Sequence, residues 1–316
     1  MTNVLTEIVP QQPGVPVIEG RSSDEWSVGR WSYQEAFQRN RGLCTESEQQ
    51  ILRNSRVAIA GMGGVGGVHL VTLARLGIGK FTVADPDTFD VVNFNRQYGA
   101  TISNLGRNKA NAMADVALDI NPELDLRILP EAVDESNIDE FLRDADVFID
   151  GLDFFAIDAR RLVFRRAADL GIWAITAGPI GFSTAWLTFD PNGMAFDEYF
   201  DLFPGMDPLD QAIAFGVGLA PAATHRRYTD FEQVDIKLQR GPSASLACQL
   251  ASGVAATEAL KILLGRGRIR PVPCYGQFDA YTQRTKLGRL GRGNRDFRQR
   301  IKRAWLKKKF ATLSSR

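Results

Sequence analysis

Hydrophobic and polar positions along this chain follow two alternating rhythms. Short strand-like segments occupy residues 57–60, 81–84, 124–129 and 147–149, of which 57–60 is an unbroken apolar run. Between them, residues 68–76, 109–120 and 138–142 repeat their apolar positions at helical spacing. An unbroken apolar run such as 57–60 suits a strand buried on both faces, and the alternation of the four segments with helices predicts a β-α-β-α-β-α-β unit. Asn121-Pro122 ends the second helix, because proline has no N–H with which to continue it. The expected fold class is α/β: a doubly wound, mainly parallel Rossmann-like sheet with helices on both faces and a C-terminal extension. Ligands then belong beyond the carboxyl ends of the strands.

The flanks are less regular. Residues 1–32 read as a mobile arm broken by Pro10, Pro13 and Pro16, with Trp26 and Trp31 as docking points. Residues 32–54 read as mostly helical, with Thr45 as N-cap and Glu48 completing a capping box. After the core unit, a helix over 157–170, a strand over 173–176, an alternating strand over 183–189 and a long Ala/Ser/Gly-rich helix over 243–264 are expected. A last strand follows over 274–279. Residues 190–242 carry Phe196, Tyr199, Phe200, Phe203 and Phe215 without a clear period, and read as a substrate lid or an interface insertion. The expected division is an arm (1–32), a nucleotide domain (33–283) and a basic tail (284–316).

The first strand runs into Gly61-Met62-Gly63-Gly64-Val65-Gly66-Gly67. Gly61, Gly63 and Gly66 fit G-x-G-x-x-G, and Asp85 stands about 20 residues on, where a ribose-binding acid is expected. Glycines let backbone N–H groups approach a phosphate at a helix N-terminus, where the dipole favours negative charge. Alone, this motif indicates a nucleotide and most often NAD. The residues after it point elsewhere: Asp85-Pro86-Asp87, then Asn93, Arg96 and Gln97, then Lys109 opening a helix and Asp153 past a strand end. Fixed cations beside a carboxylate able to hold Mg²⁺ form a phosphate-transfer constellation.

The ordered series G-x-G-G-x-G, D-x-D, N-x-N-R-Q, Lys, Asp resembles the ThiF/MoeB/HesA family of E1-like adenylyltransferases, most clearly over residues 39–190. The resemblance implies ATP-dependent activation of a carboxylate as an acyl-adenylate. Gly61, Gly63, Gly64 and Gly66 would cradle the nucleotide with Asp87 and Gln97 beside them, and Asp85 would hold the ribose. Asn93, Arg96 and Lys109 would address the phosphates, and Asp153 would bind Mg²⁺. It further implies a homodimer in which Arg39, or Arg41 in its place, reaches the neighbouring subunit's ATP; a solvated helical arginine is the plain alternative. Gly178 to Phe182 matches the family's G-x-x-G-F turn, whereas Phe154-Phe155 replaces the polar residue that commonly follows the aspartate, so no polar contact from position 154 is carried over.

Absent residues narrow the chemistry. No two of Cys44, Cys248 and Cys274 have C-x-x-C spacing, so the structural zinc of many relatives is not expected. No cysteine lies between Asp153 and Pro242, where thioester-forming relatives place their nucleophile. The expected reaction stops at the adenylate. Its carboxylate could belong to a ubiquitin-like protein, a biosynthetic peptide or a modified tRNA base; an NAD-dependent oxidoreductase and a non-catalytic E1-like binding module are the competing readings. His69, on the first helix, reads as a helix-face residue and not as a ligand.

Composition adds bounds. The 316 residues are 44% hydrophobic and 24% charged, a globular balance with ample material for a core. Residues 1–16 lack the apolar centre of a secretory signal, no run of about 18 uncharged apolar residues suggests a transmembrane span, and scattered thiols suit a reducing cytoplasm. Net charge is +1, but residues 284–316 hold thirteen Lys/Arg against one acid, Asp296, which leaves −11 on the rest. Within that tail Phe297, Ile301 and Trp305 recur at intervals of four and predict a basic amphipathic helix. It either meets an anionic surface such as RNA, an acidic partner or lipid headgroups, or packs on its own acidic body.

Overall fold

The computed structural model describes residues 31–235 and 240–314; the arm and Trp26 lie outside the described residues. Helices α1 (Tyr33–Ala36) and α2 (Glu46–Asn54) lead into β1 (Arg56–Ala60). The winding continues with α3 (Gly66–Leu76), β2 (Lys80–Ala84), α4 (Lys109–Ile120), β3 (Asp125–Leu129), α5 (Ile138–Leu142) and β4 (Val147–Asp150). Next come α6 (Ile157–Asp169), β5 (Trp173–Ile180), β6 (Ser183–Phe189), α7 (Phe196–Phe200) and α8 (Pro208–Leu219). The chain closes with α9 (Ser245–Leu263), β7 (Cys274–Asp279), β8 (Arg284–Arg289) and α10 (Phe297–Ser314). Eight strands form one sheet in the order β3-β2-β1-β4-β5-β6-β7-β8. The pairings from β3 to β5 are parallel and those from β5 to β8 antiparallel.

Period-two alternation in the strands divides the interior into two layers. Val57 and Ile59 of β1 face a core with Leu70, Leu73, Met113, Ala251 and Ala255, supplied by α3, α4 and α9. Ala58 and Ala60 face the other core with Phe141, Phe164, Phe200 and Phe215, supplied by α5 to α8. The cap of α2 is as expected: the Thr45 side chain accepts from Glu48 N, and the Glu48 carboxylate accepts from Thr45 N. Strand order reverses between β1 and β4, so a crevice opens there at the carboxyl edge, the usual ligand position in open α/β sheets.

Three features depart from the sequence reading. First, most aromatics of 190–219 are core, not lid: Phe196, Tyr199, Phe200 and Phe215 are buried, and only Phe203 among them is exposed. Second, the tail is not helical throughout, because 284–289 forms β8 against β7 before α10 begins. Third, α10 packs with a different face from the expected one. Gln299 donates to Val217 O, Arg303 pairs with Asp201, Lys307 pairs with Asp210, and Phe310 and Leu306 meet Ile213 and Val217. Phe297, Ile301 and Trp305 remain exposed. The long helix expected over 243–264 is α9, which by length and composition alone could cross a membrane. It is nevertheless a core helix, whose Ala247, Ala251, Ala255 and Ala259 bury against the sheet and α3. Its Ser252 hydroxyl meets that of Thr72 at 2.9 Å.

Candidate nucleotide site

The glycine turn joins β1 to α3 at the switch point. Gly61 has φ +87°, and a Cβ there would overlap Gly151 O; a Cβ on Gly66 would overlap Gly61 O. Only glycine at both positions lets this turn close against the end of β4. The packing also lets α3 begin at Gly66, two residues before the apolar pattern starts, with its N-terminal N–H groups facing the crevice. Gly63 lies beside the Gln97 amide, and Gly64 beside the Cys248 thiol and the Arg96 side chain. Gln97 is buried, and its Oε1 has no hydrogen-bond partner. An orphaned buried acceptor costs free energy until a donor reaches it. Standing next to the glycine turn, it suits the N–H or O–H of a bound nucleotide.

Asp85 follows β2 and is buried. Its Oδ2 accepts from Met62 N at 2.6 Å and its Oδ1 from Asp87 N at 2.8 Å. Burial pushes this carboxyl above its usual range, against the pull of those two N–H bonds and of Lys109. Asp85 therefore ties the glycine turn to the Asp85-Pro86-Asp87 turn, and any ribose hydroxyl would use the remaining lone pairs. Lys109 opens α4 behind the Asn108 cap, with its backbone N–H on Asp87 O and its Nζ 2.9 Å from Asp87 Oδ2. The Lys109 side chain is 7% exposed and that of Asp87 66%, so the pair points its acid to solvent. Asn93 is buried and caps a 3-10 turn, its Oδ1 accepting from Asp90 N at 2.9 Å. Arg96 donates to Val92 O at 2.9 Å and to Asn95 Oδ1 at 3.0 Å, and lies half-buried beside Gly64.

Asp153 is exposed on the loop after β4, with Oδ1 accepting from Phe155 N at 3.0 Å. The sequence reading missed what holds this loop. Arg160 of α6 is buried; its Nε donates to Asp150 Oδ2 at 2.7 Å, and its Nη2 to Leu152 O at 2.8 Å and Asp153 O at 3.0 Å. Its guanidinium stacks 4.3 Å from the centre of the Phe215 ring. Phe215 also meets Phe154, so the side chain at 154 packs on α8 and makes no polar contact.

Arg39 is not brought to its own chain's site. Asn40 beside it donates to Leu76 O at 3.0 Å and Tyr33 donates to Gly77 O, which anchors this segment at the C-terminus of α3. The glycine turn is at the opposite end of that eleven-residue helix, about 16 Å away. Burial pushes the Cys248 thiol up to about 11, so it stays protonated and a poor nucleophile despite its position by Gly64. His69 is fully buried in α3 with neither nitrogen bonded, and burial lowers it to about 3, so it is neutral core. Among the described residues no group of three His, Cys, Asp or Glu side chains converges as a metal cage.

Glycine turn, buried ribose-position acid and flanking cations at a sheet switch point define a Rossmann-type nucleotide-binding protein. The chain belongs to the ThiF family, whose model matches residues 37–296. It is 28% identical over 222 residues to the probable adenylyltransferase/sulfurtransferase MoeZ of Mycobacterium tuberculosis, a match covering 69% of this chain and 50% of that protein. It is 37% identical over 123 residues to the tRNA threonylcarbamoyladenosine dehydratase of Bacillus subtilis, covering 39% of this chain and 46% of that one. The matches thus span about half the length of these relatives. Solved structures share the fold: PaaA at TM-score 0.61 and 19% identity, covering 89% of this chain and 78% of that one. The Escherichia coli tRNA N6-threonylcarbamoyladenosine dehydratase gives TM-score 0.54 at 23% identity, covering 77% and 97%.

Proposed function

We propose that this protein is an ATP-dependent adenylyltransferase that activates a carboxylate. The observation that carries the reading is the unpartnered Gln97 Oε1 beside a glycine turn flanked by Arg96 and Lys109. A substrate carboxylate oxygen attacks the α-phosphorus of ATP, the bond to the bridging α,β-oxygen breaks, and pyrophosphate leaves with the electron pair. Arg96 and Lys109 stabilise the charge that collects on the departing phosphates. Lys109, itself buried, exchanges the solvent-exposed Asp87 carboxylate for a phosphate and so stays paired when the nucleotide binds. Asp153 would hold Mg²⁺, which typically takes one or two protein carboxylates and completes its shell with phosphates and water; the ion would neutralise phosphate charge. Gly61, Gly63, Gly64 and Gly66 cradle the nucleotide, with Asp85 on the ribose side.

Relatives named as a SAMP-activating enzyme and as tRNA threonylcarbamoyladenosine dehydratases support a protein C-terminus or a modified tRNA base as the substrate, and a peptide C-terminus is the third candidate. The free thiols fit a cytoplasmic setting. ATP–pyrophosphate exchange in the presence of each substrate class tests the reading. Exchange that requires Mg²⁺ and one of these carboxylates is expected; tighter binding of NAD than of ATP, or ATP binding without exchange for all three, overturns it.

The working unit in this reading is a homodimer, as the family resemblance implies; at the far end of α3 from its own glycine turn, Arg39 would act in the partner's site. Mixed Arg39→Ala and Lys109→Ala subunits should regain exchange, as each heterodimer then holds one intact composite site. If confirmed heterodimers stay inactive, Arg39 has no role in trans.

A further inference from the structure

We propose that the outward face of α10 docks on the surface of an anionic lipid bilayer. The inference is independent of the adenylation chemistry: the family match ends at residue 296, and α10 begins at Phe297. Two opposed faces divide this helix. The inner one bonds α8 through Gln299 and Leu306, and its cations are neutralised locally: Arg303 by Asp201 at 2.7 Å and Lys307 by Asp210 at 2.6 Å.

On the outer face Phe297, Ile301 and Trp305 are 73%, 53% and 44% exposed, one on each successive turn, with Ala304 filling the same stripe. Exposed cations Arg298 and Arg300 stand on either side of that stripe, and α10 carries no acid anywhere. An apolar stripe bordered by cations is the pattern of a helix lying in the headgroup plane, with its apolar side chains in the acyl boundary and its cations on phosphates. Charge complementarity selects an anionic bilayer over a neutral one.

Two features favour lipid over RNA. Ile301 and Ala304 occupy the stripe's centre, and aliphatic side chains gain nothing from stacked bases. The Trp305 ring already carries Arg226 at 4.7 Å and Lys309 at 5.6 Å, which competes with base stacking. Trp305 in that setting instead has the amphipathic character of an interfacial anchor.

Flotation of the full chain with phosphatidylcholine vesicles, with and without phosphatidylglycerol, is the test. Binding only to the phosphatidylglycerol vesicles is expected, falling as salt is raised. Ile301→Glu should weaken that binding about tenfold or more, since it replaces a buried aliphatic group by a charge. Its melting temperature should not change, because Ile301 touches none of the α8 contacts. Arg298→Glu with Arg300→Glu is the second variant and should weaken binding while leaving the apolar stripe intact. The proposal is overturned by absence of binding, or by binding that Ile301→Glu leaves unchanged, the mark of a purely electrostatic patch. Tighter binding to single-stranded RNA than to the anionic vesicles, or a dimer that Ile301→Glu dissolves, also overturns it.

Discussion

Arg160→Ala is expected to destabilise the protein by about 3–5 kcal/mol, the usual consequence of leaving a buried charge without its partner. Both side chains of the Arg160–Asp150 pair are 2% exposed. Removing the guanidinium leaves Asp150 with only the Leu152 N–H bond and frees the carbonyls of Leu152 and Asp153 from theirs. Chemical denaturation measures the loss. Pairing Arg160→Met with Asp150→Asn removes both charges, so the double variant should recover a large part of what the single one loses. If Arg160→Ala unfolds at the wild-type denaturant midpoint, the pair is not a structural tie. Since the same guanidinium holds the loop bearing Asp153, the single variant should also lose exchange activity even where it remains folded.

Lys109→Ala and Asp153→Ala should each lower adenylation about 100-fold or more, the effect of losing one preorganised contact to transition-state charge. Folding should hardly respond to Asp153→Ala, because Asp153 is exposed, whereas Lys109→Ala should lower stability modestly, since its 7%-exposed side chain also favours the charged form of the buried Asp85. Rates of ATP–pyrophosphate exchange set beside melting temperatures separate the two effects. Near-normal exchange in either variant removes that residue from the chemistry, whereas a large drop in melting temperature would assign Lys109 to the fold instead.

The contrast between these residues explains what could be read along the chain. β1 is buried at every position and flanked by a glycine turn, so apolar run and punctuation coincide. The capping box at Thr45 and Glu48 is local chemistry that needs no tertiary partner. Arg160 was hidden because it sits in an Arg160-Arg161 doublet, and only the packing of α6 against Asp150 decides which of the two is buried. The aromatics of α7 and α8 show no amphipathic period because they face helices and sheet on several sides at once. β8 reads as tail because Arg284, Thr285, Lys286 and Leu287 are exposed on both faces, and backbone pairing with β7 alone makes it a strand. The Phe297–Ile301–Trp305 stripe has helical spacing, yet spacing cannot say which face is covered.

Strand β8 also ends the sheet, and among the described residues its outer edge has no backbone partner, leaving the template on which chains polymerise edge to edge. Arg284, Lys286 and Arg289 would be set close to their counterparts if a second copy continued the sheet, so like charges oppose any such ribbon. Salt shortens the reach of this repulsion. The colloidal behaviour of the protein is therefore tied to ionic strength through three side chains that take no part in its core.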